Sequence, residues 1–410
     1  MSQSQSCFDV VVIGAGPAGT LAASLLQQKG YSVLVVEKQY FPRFSIGESL
    51  LPQCMEFLQE AGMLAAVEAE GFQLKNGALF SCADKLASFD FGEKLSQGWG
   101  TTYQVPRARF DQVLADEASR QGVEIRFGQT VTGFQFADGK ASLRLLDEDA
   151  KPYSIDSRFV LDASGSARVL AKLLDLEQAG SFPGKTSIFT HVRDNIDDSR
   201  FDREKILITV HPGIKDVWFW LIPFGNARAS LGVVAADSLL ESGNADDASR
   251  LRALISESGW MAELLARAEF DTRFGRIQGY SASVKKLQGP GFALLGNAAE
   301  FLDPVFSSGV TIALKSASLA AAVLDRELRG LLPDWEEEFV RPLNRGVSSF
   351  REFVAAWYDG RLQEIIFASN KDEQVKRMIC SILAGYAWDS DNPYVSDPSR
   401  LTTLAELCRQ

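Results

Sequence analysis

Gly14, Gly16 and Gly19 stand in the run Gly-Ala-Gly-Pro-Ala-Gly, and Glu37 closes the apolar run Tyr31–Val36 that follows. Glycines at that spacing give a tight turn, let backbone approach a pyrophosphate and let a helix pack closely on a strand. An acidic residue beyond the second strand accepts hydrogen bonds from a ribose. The chemistry on offer is dinucleotide binding, with a plain glycine turn as the bland alternative. Lys75, in Leu74-Lys75-Asn76-Gly77-Ala78, is either a loop cation or, if buried, an amine whose neutral form is favoured. Ser307-Ser308-Gly309 precedes an apolar stretch, so its backbone N–H groups can cradle an anion at a helix start.

The elements that must position these residues are legible in outline. Phe8–Ile13 has the composition of a buried parallel strand, Thr20–Lys29 is helical and Tyr31–Val36 is a second strand. Leu50–Ala61 and Arg109–Gln121 read as helices. Glu124–Phe127, Val131–Phe134 and Ala141–Leu146 read as strands, with Asp138-Gly139 a hairpin turn. Phe159–Ala163 is a buried strand, and Ser187–Val192, Ile206–His211, Val217–Ile222 and Ala229–Val234 suggest a mixed or antiparallel sheet. Val310–Glu327 is a long apolar helix, and 335–368 is helical again. Trp218 and Trp220 alternate on one strand and must face the same side, as core aromatics or as walls of a ligand site. Glu48 could cap a helix beginning near Leu50.

Composition excludes several classes. Across 410 residues the net charge is −11 and 46% are hydrophobic, which fits a folded protein and argues against nucleic acid as partner. Five cysteines lie scattered without CxxC pairing, and His191 and His211 stand apart from other ligand types, so no metal is expected. The N-terminus lacks a basic region before an apolar stretch, and no uncharged run is long enough for a membrane span. A cytoplasmic protein is expected.

Five blocks in order resemble FAD-dependent monooxygenases of the p-hydroxybenzoate-hydroxylase type and, within them, flavin-dependent halogenases. They are the Gly14–Gly19 fingerprint with Glu37; Phe41-Pro42-Arg43 with Ile46-Gly47-Glu48-Ser49; Asp162 with Gly165; Trp218-Phe219-Trp220-Leu221-Ile222-Pro223; and Phe301-Leu302-Asp303-Pro304-Val305-Phe306-Ser307-Ser308-Gly309. The resemblance implies an α/β fold: a Rossmann-type FAD-binding domain, an inserted mixed or antiparallel β-sheet substrate domain, and a C-terminal helical region. The expected boundaries are 1–82, 98–180 and 274–330 for the first, 83–97 and 181–273 for the second, and 331–410 for the third.

The same resemblance implies FAD contacts from Gly14, Gly16, Gly19, Glu37, Lys38, Arg43, Ile46, Gly47, Glu48, Ser49, Arg107, Asp162, Gly165, Asn297, Asp303, Pro304, Gly309 and Val310. It implies Lys75 and Ser307 as catalytic. Arg107 comes with Asp111 as its helix-turn partner. Asn297 departs from the family pattern, where Gly-Asp is usual, and so weakens FAD binding. The implied chemistry is reaction of reduced FAD with O₂ to a C4a-hydroperoxide, serving halogenation of an electron-rich aromatic. The resemblance leaves open hydroxylation of a small, carrier-bound or peptide-bound aromatic, a geranylgeranyl-reductase-like reaction, and a non-catalytic FAD-binding protein. The implied partners are the aromatic substrate, O₂, a halide and a separate flavin reductase. The glutamate that tryptophan halogenases carry on the substrate side has no assigned equivalent, although Glu300 lies near the right block.

Overall fold

The computed structural model describes residues 7–182, 184–241, 243–368 and 372–409. Strand Cys7–Ile13 runs parallel between Val33–Val36 and Pro152–Asp162. Glu124–Arg126 joins beyond Val33–Val36, and Phe292–Leu294 joins beyond Pro152–Asp162. All six residues Val10–Ile13 and Leu34–Val35 are buried, which is why these strands read as continuous apolar runs rather than alternating ones. Pro152–Asp162 changes partners along its length within one eight-stranded sheet. Its first half pairs antiparallel with Lys140–Leu146, and its second half runs parallel to Cys7–Ile13. The Asp138-Gly139 turn of the attached hairpin has positive φ at both residues (51° and 73°), the geometry of a primed turn.

A second, seven-stranded sheet has the order Gly275–Gln278, Lys185–Arg193, Arg228–Ala236, Trp218–Pro223, Lys205–Val210, Gly77–Cys82 and Lys85–Asp90. The strand period of two divides its faces. Trp218, Trp220 and Ile222 pack into the core shared with the nucleotide-type sheet, while Phe219 and Leu221 close on helices Asp247–Ser256 and Trp260–Leu264. Burying a large side chain such as Trp218 stabilises by about 3 kcal/mol, so this division fixes which face looks towards the site.

The sheet overrides two expected boundaries. Gly77–Cys82, placed with 1–82, pairs with Lys205–Val210 and Lys85–Asp90 in the second sheet. Gly275–Gln278, placed with the segment from 274, pairs with Lys185–Arg193 there as well. Local composition is the same in either sheet, and pairing between segments roughly 90 to 130 residues apart decides their membership. Positions 369–371 of the expected C-terminal region lie outside the described residues.

Helix Ser308–Leu328 is, among the described residues, the one helix long and apolar enough to cross a membrane. Two thirds of its most apolar stretch is buried inside the protein, where Leu314, Ala317, Ala320 and Leu324 join the main core with Leu21 and Leu25 of helix Pro17–Gln28. The segment expected to be helical over 335–368 is a π-type turn, Glu336–Val340, then helices Arg341–Tyr358 and Arg361–Phe367 separated at Gly360 (φ 88°).

Candidate active site

The glycine turn has the form its spacing predicts. Gly14 adopts φ 98°, and a side chain there would meet the Ala163 carbonyl oxygen at 2.6 Å. A side chain on Gly19 would overlap the Gly14 carbonyl, so helix and strand are in backbone contact. Gly16 differs: its nearest neighbour in that direction is Arg43 Nη2 at 3.4 Å. Packing alone therefore does not require glycine at position 16.

Four features fit an anionic nucleotide here. Helix Pro17–Gln28 begins with no side-chain cap, leaving its first N–H groups available. Arg43 reaches over the turn, 3.2 Å from Asp111 and 3.7 Å from Glu37, and its Nε is buried without a hydrogen-bond partner. Glu37 accepts from Ala15 N (2.8 Å) and Gln39 N (2.9 Å), holding the turn's shape, and its carboxylate keeps lone pairs that could accept from a ribose. Arg107 grips Asp111 through two bonds (2.7 and 3.0 Å) and donates to the Ile46 carbonyl at 2.8 Å. It thereby ties helix Arg107–Arg120 to the loop at Gly47, whose φ is 97°. Lys38 is exposed at the rim.

Asp162 is wholly buried. Its carboxylate accepts from Ser164 N (2.9 Å) and Leu170 N (2.6 Å), and burial pushes its pKa up. It shapes the turn at Gly165 rather than reaching outward itself. Arg168 follows in the left-handed region (φ 52°) and donates to the Ser283 carbonyl, joining this turn to the linker strand Ala282–Val284. Asn297 is half-buried on the turn Gly296–Ala298, its Oδ1 3.9 Å from where a Gly309 side chain would begin.

Lys75 is not a loop cation. It ends the short strand Gln73–Lys75, is 1% exposed, and donates to Ser49 Oγ and to the Leu50 carbonyl, both at 2.8 Å. Its ammonium lies 5.4 Å from the Phe91 ring centre. Burial lowers its pKa to about 7, so a neutral amine is accessible at physiological pH. Cys54 neighbours it, and Cys54 Sγ is 3.2 Å from Thr311 Oγ1 in the first turn of helix Ser308–Leu328. Lys75 is thus linked by one thiol to the helix that starts at the Ser307 turn.

That turn is a 3₁₀ segment, Pro304–Phe306, followed by Ser307 in the left-handed region (φ 56°). The 21-residue helix behind it has no side-chain cap, so the N–H groups of Ser308, Gly309 and Val310 keep their donors free of intrahelical partners. Asp303 is 2% exposed, accepts from Val305 N at 3.0 Å and from Tyr358 Oη at 2.7 Å, and burial raises its pKa to about 6. It too acts through the protein rather than outward. Glu300 is paired with Arg351 at 2.6 Å.

Glu48, for which the resemblance implies an FAD contact and a helix cap was the alternative, caps no helix: the helix begins at Cys54, and Glu48 meets His191 Nε2 at 2.8 and 3.1 Å. His191, set aside in the sequence as isolated, is therefore part of the site, brought there by strand Lys185–Arg193. Phe44 stacks on Phe189 at 5.7 Å beside it, and Phe189 lies 6.3 Å from Trp220. Tyr280 and Lys185 also join the site without any local sequence signal, together with Tyr358 of the Trp357-Tyr358-Asp359-Gly360 run, which resembles a halogenase block. Among the described residues no group of three or more His, Cys, Asp or Glu could hold a metal ion.

Comparison with known proteins agrees with this geometry. Residues 7–335 match the FAD binding domain family. A 1H-pyrrole-2-carbonyl-(peptidyl-carrier protein) chlorinase of Pseudomonas fluorescens is 26% identical, covering 96% of this chain and 92% of that protein. The corresponding brominase of Pseudoalteromonas luteoviolacea is 30% identical over 83% of this chain and 82% of its own. Among solved structures, a flavoprotein/dehydrogenase from Cytophaga hutchinsonii superposes with a TM-score of 0.95 at 44% identity, covering 98% of this chain and 99% of that one.

Proposed function

Because the chain belongs to the flavin-dependent halogenases, an FAD-binding family, we propose that it transfers an oxidised halide to an electron-rich aromatic ring, with Lys75 carrying the halogen. FAD is the cofactor. Reduced FAD, when bound, supplies the electrons that activate O₂. Gly14, Gly16, Gly19, Glu37, Arg43 and Arg107 would hold its nucleotide half, and the turn Ser307–Gly309 would present N–H donors beside its reactive end. The same donors suit a halide.

The observation that carries the reading is Lys75, sealed from solvent with its amine near neutrality. A protonated lysine has no lone pair to accept a halogen, and burial makes that proton easier to lose here. A neutral buried amine can hold hypohalous acid by hydrogen bonding, or form an N–halogen bond with loss of water. Ser49 Oγ and the Leu50 carbonyl fix the direction of the Nζ atom. Trp218 and Trp220, on the face turned towards the main core, wall the site with apolar surface and keep water away.

The names of the two pyrrolyl relatives support a carrier-bound five-membered aromatic as the substrate class; a separate reductase delivering the reduced flavin is part of the proposal. Reaction of the FAD-loaded protein with a reductase, O₂ and pyrrole, phenol or indole acceptors, with and without bromide or chloride, tests this. A product heavier by one halogen, formed only with halide, is expected. A second reading, oxidation of an organic substrate without halide, is favoured by the 44%-identical flavoprotein/dehydrogenase structure. Halide-independent turnover would select it.

A further inference from the structure

Three buried groups from separate elements converge under the turn that precedes helix Ser308–Leu328. Asp303 begins the turn, Tyr358 ends helix Arg341–Tyr358, and Trp218 begins strand Trp218–Pro223. Trp218 Nε1 donates to Tyr358 Oη at 3.1 Å, and Tyr358 Oη donates to Asp303 Oδ2 at 2.7 Å. The other oxygen of Asp303 accepts from Val305 N at 3.0 Å, inside the turn. We propose that Tyr358 is a positioning residue: through Asp303 it holds the Pro304–Gly309 turn in the form that aims the first N–H groups of the helix at an anion. The anion arm of this inference rests on the halide reading above; the positioning arm does not.

The geometry supports a relay rather than incidental packing. Each hydroxyl or ring N–H in the chain Trp218, Tyr358, Asp303 donates once, in one direction, towards the carboxylate. The chain joins the second sheet, the C-terminal helices and the turn, three parts with no covalent continuity at this point. Lys185 lies 4.4 Å from the centre of the Tyr358 ring and is itself bonded to Asp216 at 2.8 Å. Tyr280 stands beside Asp303 and Tyr358, its buried hydroxyl near both but out of hydrogen-bond geometry with either. The groups facing Asp303 are therefore Tyr358, Tyr280, Lys185 and the Val305 N–H, with Asp237 acting on Tyr280 from beyond. Of these, Tyr358 makes the one side-chain hydrogen bond to Asp303 with settled geometry. Burial alone would drive the carboxyl towards its neutral form, and Tyr358 opposes that by donating to the ionised one.

The test uses the full FAD-loaded chain labelled with ¹⁵N-glycine and ¹³C-carboxyl aspartate, with Gly309 identified by Gly309→Ala and Asp303 by Asp303→Asn. In Tyr358→Phe the Asp303 carboxyl should titrate roughly one pH unit higher, because a hydrogen bond to its charged form is lost, and the Gly309 amide resonance should move. Sodium bromide should shift the Gly309 amide in the unmodified protein, with a midpoint about fivefold higher in Tyr358→Phe. Trp218→Phe, which keeps the Tyr358 hydroxyl but removes its donor, should give a smaller change of the same sign, and it carries the test if Tyr358→Phe does not fold. An unmoved Asp303 titration and Gly309 resonance in the folded variant would overturn the proposal. A turn that ignores bromide in every form, yet moves with Tyr358→Phe, would uphold the positioning role and remove the halide reading instead.

Discussion

Glu48 and His191, 143 residues apart in the chain, meet at 2.8 Å with the carboxylate almost fully enclosed. The pair locks the loop Phe41–Ser49 of the nucleotide-type domain onto strand Lys185–Arg193 of the second sheet. Removing one partner of a buried pair leaves the other unsatisfied. His191→Ala should therefore destabilise the protein by about 1–2 kcal/mol, the scale of a buried acceptor left unsatisfied, seen as a lower urea midpoint at pH 7. Glu48→Gln, which keeps an acceptor for the imidazole, should cost less. Equal midpoints for His191→Ala and the unmodified protein would mean that the loop is held by other contacts.

Lys75 makes stability depend on pH in a defined sense. Its folded pKa of about 7 lies below the ordinary lysine value of 10.5, so the unfolded chain binds the extra proton between those limits. The burial penalty is complete below pH 7 and is relieved as pH rises towards 10.5. Across that window this group should add stability at about 1.4 kcal/mol per pH unit, and Lys75→Met should flatten that part of the profile. Guanidinium melts at pH 6.5, 8 and 9.5 for both proteins measure the difference.

Gly16 and Gly19 should separate binding from folding. Gly16→Val places its side chain at ordinary contact distance from Arg43, so the fold should survive while the flavin absorbance disappears. Gly19→Val collides with backbone of the Gly14 turn and should lower the melting temperature as well. Retained flavin in Gly16→Val would move the pyrophosphate site elsewhere.

Much of this was readable along the chain, and the part that was not has a common cause. The glycine turn, Glu37 and the Arg107–Asp111 pair are local: their partners lie within one strand–turn–helix unit or one helical turn. The strands of the second sheet were visible as apolar runs, but the membership of Gly77–Cys82 depends on pairing with Lys205–Val210. The burial of Lys75 depends on Ser49, Leu50 and Phe91, which share no pattern with it. The inward-facing roles of Asp162 and Asp303 follow from which backbone N–H groups the turns present, and residue type alone does not show that.

Asn297 should report on both ligands at once. A carboxylate there can accept a charge-assisted hydrogen bond from a ribityl hydroxyl, so Asn297→Asp should tighten FAD by on the order of 1 kcal/mol. The same charge, placed beside Gly309, should weaken bromide or chloride affinity. Equilibrium dialysis of FAD and the halide dependence of turnover measure the two effects, and a change of equal sign in both would contradict the assignment.

The central claim is that halogen passes through Lys75. Its most direct measurement is the mass of the product formed from a pyrrole acceptor by FAD-loaded protein, reductase and O₂ in bromide buffer, for the unmodified chain and for Lys75→Ala. The account predicts a brominated product from the first. From the second it predicts none, with the flavin spectrum and oxygen consumption unchanged. Brominated product from Lys75→Ala, or an oxygenated product from the unmodified chain in halide-free buffer, would contradict it.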